Sequence, residues 1–428
     1  MSKYFKFIGL LLPFCTMCSQ KENKKDIGFE LIKEPTLYFK SFVDCNMAEV
    51  WVGDTFRIFP GKYGEDPLWG YSKELKYASG KNAQEVFNKK YEDFKEPKMP
   101  LNVAPTAEGL HGAVWFETVY QDHKDKSGKT LYALYHNENY PNTLPYNNKT
   151  GKGYINKNWP QGLTGAQTPA AVCRIGIMKS INGGYSWEDK GIVLEDLQNR
   201  MILKPHNNSV TFAGGVGDPS AVASGDYLYI FYGEYGYAGN YEAASYSKEK
   251  EYKGQCISIA RIKLTDLDQP TGKAKRYDGK GFQANYDAIG SPIKNIQIAM
   301  KEGGGPSSDS NSKYYWGPSV SWNHYLQAWV MLMAKSEGPS WKGSSIYVSF
   351  NKNFILDNNS QDWTVPKLIL SIPGHIIWYP SLQPIGEANA QKLKYTSLQL
   401  GEKARLFYKD QTKDTAVYIS NYSIQFKK

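Results

Sequence analysis

Five side chains in this sequence suit acid and base chemistry: Asp44, Glu117, His136, Glu138 and Asp218. Cleaving a glycosidic bond takes two carboxyls flanking it, one protonated to assist the leaving oxygen and one ionised. Neighbouring carboxyls in a water-poor pocket acquire that split, because burial and mutual repulsion raise the pKa of one of them. Asp218 follows Gly214-Gly215-Val216-Gly217, a flexible approach that lets backbone come close to a ligand, and is the leading catalytic candidate. The plain alternative is an Asp that bonds backbone amides where a strand begins. Glu117 follows Trp115 and Phe116 and competes with a mid-strand Glu facing solvent. Glu138 lies in His136-Asn137-Glu138-Asn139-Tyr140-Pro141, a polar cluster ending a strand and opening a long loop region able to lid a pocket. His136 reads as an acid/base, a partner for sugar hydroxyls or a loop strut, with no Ser or Cys partner motif for a nucleophile triad. Asp44 either directs a water or caps the start of a strand.

What must position these residues is a divergent repeat. Gly217-Asp218-Pro219-Ser220-Ala221-Val222 begins a strand, Gly225-Asp226 turns it, and Tyr227 to Tyr232 returns as a second strand, a hairpin with a clear turn signal. The opening recurs as Trp316-Gly317-Pro318-Ser319-Val320 and as Trp378-Tyr379-Pro380-Ser381-Leu382. Weaker copies start at Asn46 and Glu117, so positions 46, 117, 218, 317 and 379 are equivalent, at intervals longer than the roughly 40–50 residues of a minimal propeller blade. Second strand pairs show at Ala171–Met178 and Gly254–Arg261, with Cys173 and Cys256 in matching places. The expected fold is therefore all-β, a five-bladed β-propeller with about four antiparallel strands per blade. The innermost strands run along the axis, so the five equivalent positions ring one mouth beside the ends of the return strands. From that placement the substrate-binding candidates are Asn46, His136, Arg174, Glu234, Trp316, Trp378 and Tyr379. Asp54 and Asp226 fall in turns at the far end and read as turn formers.

Composition restricts the function. The net charge of +9 comes almost wholly from Lys, with only six Arg, at 57, 174, 200, 261, 276 and 405, scattered rather than clustered, which argues against nucleic acid. The 32 Tyr and 11 Trp suit strands, and also suit sugar rings that stack C–H faces on aromatic planes. A charged start, the apolar Phe7–Phe14, and Cys15-Thr16-Met17-Cys18 before a Lys-rich stretch resemble a bacterial lipoprotein signal, with Cys18 as the acylated residue. Residues 1–18 are then the signal, 19–35 a tether and 36–428 one domain, in a chain exported and anchored to a bacterial membrane by lipid alone. Cys45, Cys173 and Cys256 read as small buried hydrophobes, since no Cys/His metal spacing occurs.

Ser180-Ile-Asn182-Gly-Gly184-Tyr-Ser186-Trp187 looks like the Asp-box turn of sialidase-type propellers, a structural motif between outer strands. The elements Asp44-Cys-Asn46, Val52-Gly-Asp54-Thr, Tyr135-His-Asn-Glu138, Arg174-Ile-Gly176, Ser180 to Gly191, Gly214-Gly-x-Gly-Asp218 and Trp316-Gly-Pro-Ser319-x-x-Trp322-Asn323 resemble a group of bacterial family-43-like propeller proteins over nearly the whole chain. The resemblance implies a glycoside hydrolase, for instance a furanosidase such as an arabinofuranosidase. Carried onto this chain, Asp44 is the base, Asp218 the pKa modulator, and Glu117 or Glu138 the acid. Asp44 departs from the pattern by lying two residues before its slot. The competing readings are a non-catalytic surface glycan-binding protein and a glycoside phosphorylase, the latter with Arg174 and Lys335 as phosphate partners. A monomer without cofactor is expected, with a structural ion on the propeller axis left open.

Overall fold

Alternating apolar runs of seven to thirteen residues, punctuated by Gly-Asp, Asn-Gly and Pro-containing turns, fold into consecutive antiparallel meanders. The computed structural model describes residues 27–39, 41, 43–66, 70–100, 112–139, 146–147, 152–153, 171–196, 198–203, 205–207, 212–299, 314–338, 341–353, 356, 361–412 and 417–428. Cys18 and the expected N-terminal signal lie outside them. The described chain is nearly all β, with short α-helices at Ala83–Phe87, Lys248–Lys253 and Lys294–Ala299.

The first meander joins Glu49–Val52, Thr55–Ile58 and Ala78–Gly80. The second joins Val114–Gln121, Leu131–Asn139, Ala171–Ser180 and Glu188–Leu194. A third runs Phe212–Ser224, Tyr227–Tyr235, Gln255–Lys263, Lys275–Tyr277 and Phe282–Asn285. The fourth is Tyr314–Asn323, Ala328–Ser336, Ser345–Asn351 and Lys367–Ser371. The last is Ile377–Gln383, Lys403–Asp410 and Val417–Lys427, completed by Gly28–Phe39, whose Gly28 lies opposite Lys427. Residues 28–35, expected in the tether, are thus an edge strand of the final sheet. Half-buried Leu31 and Phe29 pack there against a core that includes Ile424 and Phe426, which draws the segment in.

The leading strands of successive meanders lie side by side. Hydroxyls stitch them: Thr118 Oγ1 accepts from the Ala221 amide at 3.2 Å, and Ser220 Oγ from the Val320 amide at 2.9 Å. For Ser220, this explains the recurring Pro-Ser pair. The last meander meets the first where the Ser397 amide donates to Glu49 Oε2 at 2.8 Å and Trp51 Nε1 to the Tyr395 carbonyl at 2.9 Å.

The Asp-box stretch is a turn between outer strands. Asn182 Oδ1 accepts from the Tyr185 and Ser186 amides, Ser180 Oγ accepts from the Gly184 amide, and Trp187 packs edge-on against Phe59 and Phe116. Cys45, Cys173 and Cys256 are buried free thiols. Replacing Asn182 with Ala strands two backbone donors in a partly solvated turn. Chemical denaturation should register a loss of about 1 kcal/mol, with the specific activity of the folded fraction unchanged.

Candidate active site

The equivalent positions sit where the leading strands leave regular pairing. Hairpin register shifts between Phe116 and Thr118, Gly217 and Ser220, Trp316 and Ser319, and Trp378 and Ser381. Each shift is a bulge that frees Glu117, Asp218, Gly317 or Tyr379 from the ladder and re-aims what it carries. In three copies the next residue is Pro, which has no N–H to leave unpaired. Asp218 (φ 47°), Gly317 (φ 58°) and Tyr379 (φ 48°) adopt left-handed backbone. That conformation is costly for a residue with a Cβ and clusters at functional sites.

The bulges bring the candidates together. Among the described residues one group of acids and His has ligand atoms all within 4.8 Å of one another: Glu117, His136 and Asp218, all three buried. Asn46 braces the ring. Its amide donates to Glu117 Oε2 at 2.7 Å and its Nδ2 reaches the carbonyls of Pro219 and Pro318 at 3.3 and 3.1 Å. The Asp218 amide donates to His136 Nδ1 at 3.1 Å. Both Asp218 carboxylate oxygens accept phenol protons, Oδ1 from Tyr379 at 3.2 Å and Oδ2 from Tyr235. The Nδ1 lone pair of His136 is taken by the Asp218 amide, while its Nε2 is buried without a hydrogen-bond partner. Glu117 Oε1 likewise meets no hydrogen-bond partner.

Burial, then the Asp218 charge, pushes the Glu117 carboxyl well above the usual carboxylate range, against the pull of the Asn46 amide. For His136, burial favours the neutral ring, yet Asp218, Glu138 and Asp44 outweigh it and raise the pKa. The Tyr235 and Tyr379 phenols are held protonated by burial and by Asp218. Asp44 is the more exposed carboxylate and pairs with Lys409 Nζ at 2.6 Å. Glu138 is half-buried, two residues beyond His136 on the same strand, opposite Cys173. Aromatic rings wall this end: Trp316 lies 5.3 Å from Tyr379, 5.8 Å from Trp378 and 6.2 Å from Trp341.

Two expected binding residues are engaged elsewhere. Glu234 is fully buried between Arg200 Nη1 at 3.1 Å and Arg276 Nη1 at 2.8 Å, with Asp196 sharing both arginines, and these cations lower its pKa despite the burial. Its neighbour Tyr235 points to the acid pair instead, as strand alternation requires. Arg174 is buried and bonds Asn137 Oδ1 through Nε and Nη2 at 3.1 and 2.7 Å, which takes it from a phosphate role. The glycines before Asp218 also serve packing rather than ligand approach. A Cβ on Gly215 would stand 2.2 Å from the Cys173 carbonyl oxygen, and one on Gly217 would stand 2.6 Å from the His136 ring. Sequence reasoning passed over Lys409 and Trp341, and their distance along the chain from Asp44, Glu117 and Asp218 left no local signal. Tyr235, which ends the return strand, was not among the expected residues, although its neighbour Glu234 was.

The chain matches no family model and no curated protein. Among solved structures it is similar to a family 43 glycoside hydrolase from Bacillus licheniformis, at 12% identity and TM-score 0.41 over 91% of this chain and 72% of that one. An α-L-arabinofuranosidase from Fusarium graminearum matches at 12% identity and TM-score 0.41, over 90% of this chain and 84% of that one. An α-L-arabinanase from Cellvibrio cellulosa matches at 11% identity and TM-score 0.41, covering 91% of each. Likenesses this remote leave the assignment to the chain's own residues.

Two outcomes follow from this geometry. Glu234→Ala leaves two buried guanidinium groups short of charge, so urea unfolding should show a loss of about 3–5 kcal/mol. Glu117 has a raised folded-state pKa, so the stability it contributes is full below its unfolded pKa and is lost as pH rises towards the folded one. Glu117→Gln removes that loss. The variant should gain stability relative to wild type between pH 5 and pH 8, and an equal or larger deficit at pH 8 would refute the coupling.

Proposed function

We propose that this protein is a glycoside hydrolase acting on a polysaccharide or its oligosaccharides at the end of the chain's axis that Glu117 and Asp218 share. The observation that carries the reading is that carboxyl pair, buried together with its oxygens within 4.8 Å. Glu117 is the general acid: burial and the Asp218 charge hold its carboxyl well above the usual carboxylate range, which favours the protonated form needed by the glycosidic oxygen. Asp218 is the fixed charge that sets this, since both its oxygens are held by phenols and neither is placed to serve as a base. Asp44, half-buried and the more accessible carboxylate, activates water, with Lys409 orienting it. Trp316, Trp378 and Tyr379 offer ring faces to the sugar.

The architecture proposed with this chemistry is a five-bladed propeller, each meander a blade and Gly28–Phe39 closing the ring beside the C-terminal strand. That closure is supported by the pairing of the two ends and by the adjacency of successive leading strands. The substrate proposed is a neutral glycan, a furanoside such as an arabinofuranoside among the first to try. The N-terminal sequence supports an exported chain, lipid-anchored through Cys18.

Hydrolysis of a panel of aryl glycosides and plant, algal and microbial polysaccharides tests the reading. Wild type should release sugar from at least one, while Glu117→Gln and Asp218→Asn should each lower kcat/KM by about 100-fold or more. No release from any member of the panel, with glycan binding that survives loss of both carboxyls, would replace the enzyme by a binding protein.

A further inference from the structure

Inward from the acid pair the meanders close around a void of about 10 Å³, room for about one water. Asn46, Glu117, Ser220, Ser319 and Ser381, one from each meander, line it together with Glu49. The serines of the x-Pro-Ser repeat thus converge on the point where a second buried Glu meets the acid pair. Three acceptors in this wall meet no hydrogen-bond partner: Asn46 Oδ1, Glu49 Oε1 and Glu117 Oε1. Their residues are only 2–5% exposed. The remaining polar atoms of the same side chains are engaged. Asn46 Nδ2 donates to the carbonyls of Pro219 and Pro318, which also fixes which end of that amide is the oxygen. Glu117 Oε2 accepts from the Asn46 amide at 2.7 Å and Glu49 Oε2 from the Ser397 amide at 2.8 Å. A buried polar atom without a partner is costly and rare, and three beside one water-sized void call for a shared partner.

We propose that one water occupies this void and joins Glu49, Glu117 and Asn46 by hydrogen bonds, which makes Glu49 a positioning residue for the Glu117 carboxyl. A water has two protons to give and two lone pairs to receive. With both carboxyls protonated, each donates to the water, which donates in turn to Asn46 Oδ1 and a serine hydroxyl, so every group is matched. With both ionised, three acceptors and two negative charges would compete for two protons. Burial pushes the Glu49 carboxyl up to about 8 and raises that of Glu117, in agreement with this count, and two carboxyls that keep their protons favour water over a cation. Ser397 and Gln383 flank Glu49. The other ionisable groups facing the pair are Asp218 and Asp44 beside Glu117, and the Tyr418 phenol, which meets Ser381 near Glu49. Support for a general acid rests on the hydrolase reading, whereas the water-linked pair itself does not.

The test uses the full chain with carbon-13 in its glutamate side-chain carboxyls, titrated by NMR as wild type, Glu49→Gln, Glu117→Gln and Asp218→Asn. Removing Glu49 removes the repulsion between two carboxyls that ionise around one water, so the Glu117 midpoint should fall by about half a pH unit or more. Coupling between two sites is mutual, so Glu117→Gln should lower the Glu49 midpoint by a matching amount. A crystal structure of the wild-type chain is the arm that stands if Glu49→Gln fails to fold. It should show one water about 2.5–3.2 Å from Glu49, Glu117 and Asn46. An empty void, or a metal ion in place of the water, would overturn the proposal. A Glu117 midpoint that moves with Asp218→Asn and not with Glu49→Gln would also overturn it, and would leave the hydrolase reading intact. A midpoint that falls with Glu49→Gln in a protein that cleaves no glycoside would support the water-linked pair and count against hydrolysis alone.

Discussion

Two carboxyls buried within 4.8 Å of each other set the terms for everything around them. In a region of low effective dielectric two such charges repel strongly, so the pair binds a proton that neither group would keep alone in water. Burial first and then the Asp218 charge raise the Glu117 carboxyl, which receives one backbone amide, while two phenols donate to the Asp218 oxygens. The asymmetry between the two acids is an asymmetry in hydrogen-bond donors. Without Tyr235 and Tyr379 the pair would have no built-in division of labour.

Holding that arrangement demands an irregular backbone at the mouth and regular backbone everywhere else. Bulges at Glu117, Asp218, Gly317 and Tyr379 break the leading strands, and the last three of these residues sit in left-handed conformations that strands do not tolerate on their own. The hairpins below them, the hydroxyl stitches between leading strands and the Asn46 amide that spans to Pro219 and Pro318 supply the compensating rigidity. Strain and order are adjacent along the bulged leading strands, and in three of them the change of character falls at the Pro.

The repeated x-Pro-Ser pattern made the leading strands and the ring of equivalent positions readable, because bulge and proline leave a local mark in sequence. The Asp-box turn was readable for the same reason: its hydrogen bonds span four residues. Glu234 and Tyr235 were not separable, since a one-residue choice of face depends on where the hairpin register settles. Arg174 was expected to bind ligand but is engaged by Asn137 on the neighbouring strand, a partnership fixed by pairing across the sheet. The start of the domain was misjudged because Gly28–Phe39 gains its partner only from the far end of the chain. What sequence missed was set by contacts between distant segments.

The central claim is that burial and the adjacent Asp218 charge together hold the Glu117 carboxyl well above the usual carboxylate range, and the direct measurement is the Glu117 side-chain carboxyl signal in a carbon-13 NMR pH titration. The account predicts a midpoint well above the usual carboxylate range, moving down when Asp218 is replaced by Asn. A midpoint in the ordinary range, or one that Asp218→Asn leaves in place, would contradict it.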